Sequence, residues 1–143
     1  NQFNLTNSRY NLAEVEQMTT DVNFITIYGK LLDKFGDNGV ISVLVGKAEG
    51  STLEILIWLM SCRVLQREFE NAMMDFLIGE CQKRNIKEIV GTYIKTKKNL
   101  LVENHYQKME FDLVEKNGEA YSKWNYLLDD SYKKKNNYIE IIN

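Results

Sequence analysis

Leu53-Glu54-Ile55-Leu56-Ile57-Trp58-Leu59-Met60-Ser61 decides the fold. It is an almost unbroken apolar run of strand length, the pattern of a strand buried on both faces. Arg63 to Arg67 then brings polar residues, and from Glu68 the period becomes helical. Phe69, Ala72, Met73, Phe76, Leu77 and Cys81 recur at three- and four-residue steps, so one side of that helix is apolar. Arg84-Asn85 ends it, and Ile86 to Ile94 follows as a strand rich in β-branched residues. Two strands joined by a helical crossover are expected to lie parallel, with a right-handed connection. Free backbone N–H groups gather where the first strand meets the helix, which suits an anionic ligand.

Upstream, Val22 to Tyr28 reads as a strand, and Lys30 to Phe35 is ambiguous between strand and loop. Gly36-Asp37-Asn38-Gly39 is the clearest turn, because these residues tolerate positive φ. Val40 to Val45 is the returning strand, and Lys47 to Ser51 turns the chain into Leu53. A helix over Arg9 to Met18, capped by Asn7 or Ser8, comes before this three-strand meander. Asn1 to Thr6 reads as a polar, linker-like lead. Downstream, a short helix is expected over Leu100 to Met109, then strands Phe111 to Val114 and Tyr121 to Leu128 joined by a turn at Lys116 to Glu119. Asp129 to Asn137 is polar, and Tyr138 to Ile142 reads as an edge strand or a frayed tail. The expected class is a mixed-sheet α/β (α+β) domain.

At 143 residues the chain is most simply one domain, and a hydrophobic fraction of 44% is enough for a real core. A net charge of -2 gives no global field for nucleic acid, so none is expected as a partner. No apolar segment reaches the roughly 20 residues that span a bilayer, so no membrane partner is expected. Cys62 and Cys81 fit buried reduced thiols, and with no signal-peptide pattern the expected location is the cytoplasm. Two cysteines and one histidine make a structural zinc site an unpromising reading, and no metal is expected. The chain starts at Asn1 rather than Met, so it is expected to be processed or cut from a longer protein.

The order helix, meander, buried strand, helix, strand, helix, hairpin resembles the GNAT acyl-CoA N-acyltransferase fold. Four short stretches carry a finer resemblance: Asn1-Gln2-Phe3-Asn4-Leu5-Thr6, Phe35-Gly36-Asp37-Asn38-Gly39, Ser61-Cys62-Arg63-Val64-Leu65, and Tyr93-Ile94 with Thr96-Lys97-Lys98-Asn99. In register from Asn1 to about Val114, they look like the C-terminal domain of FkbH-like proteins. That resemblance implies a missing N-terminal HAD-type domain, and residues 1–7 then read as the linker from it, 8–128 as the GNAT-like domain and 129–143 as a polar tail. It implies acyl-group handling toward glyceryl- or methoxymalonyl-carrier extender units for polyketides, with an acyl carrier protein as partner.

The family's pyrophosphate-binding turn, Gln/Arg-x-x-Gly-x-Gly/Ala, falls here on Arg63. The resemblance implies an acyl-CoA or phosphopantetheine site using Ser61, Cys62, Arg63, Val64 and Arg67. Gln66 and Glu68 stand where the two glycines belong. Glycines let backbone amides reach phosphate without a Cβ in the way, and Glu68 would set a negative charge beside it. The expectation is weakened or lost coenzyme A binding. A second family motif falls on Asn99, Val102 and Tyr106. The resemblance implies that Asn99 contacts the cofactor arm and that Tyr106 protonates the departing thiolate. Asn99 and Tyr106 are about two helical turns apart and would share a face.

Each candidate has a plainer reading beside it. Tyr106 is a general acid or a core aromatic. Glu54 is a general base or a solvated strand-edge carboxylate. His105, the one histidine, is an acid–base group or a partly buried ring. Cys62 is a nucleophile at a helix start or an inert buried thiol. Lys133-Lys134-Lys135 is a solvated run or a dock for an acidic carrier protein. Two functions follow: an acyltransferase with Tyr106 and Glu54 as catalytic residues, or a non-catalytic module that docks a carrier protein for the HAD-type domain.

Overall fold

A computed structural model describes residues 2–33, 36–61 and 69–129. The strands are β1 (Gln2–Asn4), β2 (Phe24–Asp33), β3 (Gly36–Glu49), β4 (Thr52–Ser61), β5 (Glu88–Ile94), β6 (Asp112–Asn117) and β7 (Tyr121–Leu127). The helices are α1 (Leu12–Thr20), α2 (Phe69–Lys83) and α3 (His105–Lys108), with a 3₁₀ turn over Leu100–Val102. They build one mixed sheet in the order β2-β3-β4-β5-β7-β6, with β1 added on β4. Among the described strands, β4 and β5 make the parallel pair and the others run antiparallel.

The apolar run at Leu53 is β4, and the crossover to β5 is the 15-residue helix α2, as its pattern predicts. Asn85, at φ 60°, turns the chain after α2. α2 buries more than one stripe: Met74 and Ile78 are buried along with Phe69, Ala72, Met73, Leu77 and Cys81, while Phe76 is only half-buried. Phe69 covers Gly29 of β2, where a Cβ would collide with its ring. The core joins α2 to Ile25, Ile27, Leu44, Leu53 and Ile55 of the meander, and to Ile89 and Tyr93 of β5.

Four local expectations are corrected. Gln2–Asn4 is a strand rather than a linker, and Leu5 after it is 1% exposed. The first helix starts at Leu12 rather than Arg9. Asn11, not Asn7 or Ser8, caps it: the Glu14 N–H donates to Asn11 Oδ1 at 2.8 Å, and Asn11 Nδ2 donates to Glu14 Oε1 at 2.9 Å. Asn4 and Thr6 use their side chains in local turns, accepting from the Thr6 and Ser8 N–H groups, and so delay the helix. The hairpin closes between Asp33 and Gly36, so Gly36–Gly39 runs inside β3, where Gly39 at φ 74° sits at a break in register. The helix expected over Leu100–Met109 is split into a 3₁₀ turn and the single-turn α3. Residues 130–143, including Lys133-Lys134-Lys135, lie outside the described residues.

Candidate functional site

β4 and β5 are paired only at Thr52↔Glu88, Leu53↔Ile89 and Glu54↔Val90. Beyond that point β4 runs on to Ser61 and β5 to Ile94, so the parallel strands part. The parting has a local cause. The β3–β4 register shifts between Val45↔Ile57 and Gly46↔Ile55, leaving Leu56 as an extra residue in β4. Such a bulge bends its strand and increases its twist. Gly46 lies opposite, and a Cβ there would come within 2.8 Å of Leu53 Cδ2, so the crowded crossing needs glycine.

From Ile55 to Trp58 the β5-side edge of β4 faces no partner in the described register. At about 3.3 Å per residue this offers about 13 Å of edge to an extended chain. Farther out, β1 takes the same edge: Asn4 faces Leu59, Phe3 faces Met60 and Gln2 faces Ser61. β3 holds the opposite edge of those residues, with Val43 against Leu59 and Ser42 against Met60.

One side of the gap is sealed by rings. Trp58 meets His105 edge-on at 4.3 Å, His105 meets Tyr106 at 5.3 Å, and Tyr106 meets Phe111 at 5.0 Å. Tyr106 lies directly on Gly91 of β5, where a Cβ would fall inside its ring. These rings therefore reach from β4 to β5. Within the cluster Trp58 Nε1 and His105 Nε2 are buried without a hydrogen-bond partner. Unpaired buried nitrogens are rare because each forfeits its solvation, at about 1–3 kcal/mol. Burial, aided by Lys108, pulls the His105 pKa down to about 3, so the ring is neutral.

The sequence-selected residues separate into groups. Tyr106 is 2% exposed, and burial pushes its hydroxyl above the ordinary phenol range. Glu54 is exposed at the closed end of the fork, where the strands are still paired. Val102 is a core residue, and Ser61 is buried opposite Gln2. Cys62, Arg63, Val64 and Arg67, with Gln66 and Glu68, lie outside the described residues.

Asn99 is 1% exposed, and its amide is fully committed within the chain. Nδ2 donates to the carbonyls of Asn4 and Ile94, each at 2.8 Å. Oδ1 accepts from the Thr96 N–H at 2.8 Å and the Tyr93 hydroxyl at 3.1 Å. Two donors and two lone pairs are thereby used, so the cofactor contact implied for Asn99 is filled by the protein itself. Sequence reasoning missed Trp58 as a partner of His105. Its signal was a lone indole in the buried strand and a lone histidine where an apolar side chain would pack. Among the described residues no group of three or more His, Cys, Asp or Glu side chains is placed to hold a metal ion. No described helix is long and apolar enough to cross a membrane.

No protein-family model matches the chain, and no curated protein matches it. Solved structures do. The GNAT domain of S. lividans PAT aligns with TM-score 0.66 at 11% identity, covering 84% of this chain and 70% of that one. Ard1 from Thermoplasma volcanium aligns with TM-score 0.64 at 14% identity, covering 87% and 84%. PaiA N-acetyltransferase from Thermoplasma acidophilum, solved in complex with coenzyme A, aligns with TM-score 0.64 at 12% identity, covering 82% and 69%. The chain has the fold of GNAT acetyltransferases, a mixed α/β fold with a mostly antiparallel sheet.

Proposed function

We propose that this chain is the acyltransferase-like domain of an FkbH-like protein and handles an acyl group carried on coenzyme A or a phosphopantetheine arm. Its setting is extender-unit biosynthesis of the glyceryl- or methoxymalonyl-carrier type, beside an HAD-type domain of the same polypeptide. The observation that carries the acyl-arm part of this reading is the fork, and the FkbH-like setting rests on the sequence resemblance. In a GNAT fold, β4 and β5 separate after Glu54 and Val90 and leave an amide-bearing edge at Ile55–Trp58. An extended arm with its own amides can add to such an edge as a strand does. Coenzyme A in the Thermoplasma acidophilum neighbour supports a coenzyme A-type arm as the occupant. The thioester would supply the activated acyl group; Ile55–Trp58 would align the arm, and Tyr106 would hold the proton for the sulfur.

A second reading has its own support: a non-catalytic module that docks an acyl carrier protein for the HAD-type domain. Proton transfer is most efficient when donor and acceptor pKa values are close to the working pH. Tyr106 is buried under Gly91 and shifted away from that range.

Calorimetry separates the two. The enzyme reading expects acetyl-CoA to bind at micromolar affinity, with Tyr106→Phe abolishing turnover but keeping binding. The docking reading expects no coenzyme A binding but saturable binding of a phosphopantetheinylated carrier protein. Flat titrations with both ligands would reject both. Gln66→Gly with Glu68→Gly should raise coenzyme A affinity, because it restores the two glycines of the family's motif.

A further inference from the structure

We propose that Gln2–Leu5 is a displaceable strand which holds the donor arm's place in the fork, so that segment and arm bind in mutual exclusion. This rests on the acyl-arm reading given above.

The segment bridges the two parted strands. On one side it pairs antiparallel with Leu59–Ser61, along the edge of β4 that faces β5. On the other, the Ile94 N–H donates to the Leu5 carbonyl at 2.8 Å, and Asn99 Nδ2 donates to the Asn4 carbonyl at 2.8 Å. These are the contacts that an extended chain carrying amides makes on entering a fork between strands. A pantetheine arm is such a chain, with two amides along its length and its branching confined to the pantoyl end. Entering at the open edge Ile55–Trp58, it can run on along Leu59–Ser61 and reach the Asn99 donor only where β1 does not.

The attachment is built to be reversible. β1 is a three-residue strand, too short to hold alone. Its deep anchor is the Leu5 side chain, with Phe3 only partly buried and Asn4 half-exposed. Immediately after it, Asn4, Thr6 and Ser8 form a turn closed by local side-chain bonds. These bonds stay within residues 4–8 and tie none of the meander strands.

Two experiments on the full chain test this. In the native protein, saturating coenzyme A or pantetheine should raise the amide hydrogen exchange of Phe3–Leu5 and Ile94 at least tenfold; slowed or unchanged exchange with ligand bound would overturn the proposal. In Asn4→Cys with Leu59→Cys, a disulfide would fasten the segment to β4. The oxidised form should bind coenzyme A at least tenfold more weakly than the same protein reduced; equal affinity in the two forms would overturn it. If ligand binds but the segment does not respond, the acyl-arm reading stands and this inference fails. If coenzyme A, pantetheine and carrier protein all fail to bind native and reduced protein, both fail.

Discussion

Asn99 Nδ2 donates to the Asn4 carbonyl oxygen at 2.8 Å, joining residues 95 apart in sequence. The same amide holds Ile94, Thr96 and Tyr93, so one side chain fastens the end of β5, the loop after it and the incoming β1.

Asn99→Ala strands several buried backbone groups at once. Each unsatisfied group costs about 1–3 kcal/mol. The expected loss is about 3 kcal/mol in urea unfolding. Asn99→Asp, which keeps the acceptor but loses both donors, should be nearly as damaging. A loss below about 1 kcal/mol in both variants would contradict the assigned contacts.

Gly91→Ala puts a methyl group where the Tyr106 ring lies. Overpacking of this kind costs about 1–3 kcal/mol. The double variant Gly91→Ala with Tyr106→Leu should recover part of that loss, because the ring that clashes is gone. Additive costs in the double-mutant cycle would show that the two positions do not touch.

His105 gives a pH dependence of defined sign. Its folded pKa lies near 3, below the ordinary value of 6.5, through burial first and Lys108 second. Well above pH 6.5 both states are neutral and the group contributes nothing. Below it the unfolded chain takes up a proton that the folded chain refuses, so stability falls with pH down to about 3. The slope is at most about 1.4 kcal/mol per pH unit. His105→Leu should flatten the stability profile between pH 6 and 4 when urea midpoints are compared across that range. An unchanged slope would show that the ring titrates normally.

Cys81 is buried on α2, and its thiol pKa is pushed up to about 12, chiefly by burial. The thiolate is the reactive form, so at pH 8 the native thiol should resist iodoacetamide. Peptide mapping by mass spectrometry should find Cys81 unlabelled in folded protein and fully labelled in guanidinium. Fast labelling of the folded protein would contradict the burial.

Much of the fold follows from local pattern. Apart from the exposed Glu54, Leu53 to Ser61 is apolar on both faces because neighbours cover both, and the period shift at Phe69 marks the crossover helix. β1 carries no such signal. Its backbone edges are satisfied by residues about 57 and 90 positions away, while its side chains are mostly polar. The helix start at Asn11 was hidden among several capable caps, and only the turns at Asn4 and Thr6 choose between them. At the site, the family resemblance singled out Asn99, Val102 and Tyr106 but not what each touches. Asn99 faces the chain's own carbonyls, and Tyr106 is determined by the bare backbone at Gly91. The bulge at Leu56 is a property of register, and an uninterrupted apolar run cannot display it.

The short parallel contact between β4 and β5 also has a mechanical consequence. On one side stand β2, β3 and β4, on the other β5, β7 and β6, each block closed by long antiparallel ladders. Between them the direct strand pairing is three residue pairs, Thr52 to Glu54 against Glu88 to Val90, with the short Gln2–Leu5 segment bridging the open end. Pulled across its strands, the sheet should tear along that seam first, with each half keeping its own weave.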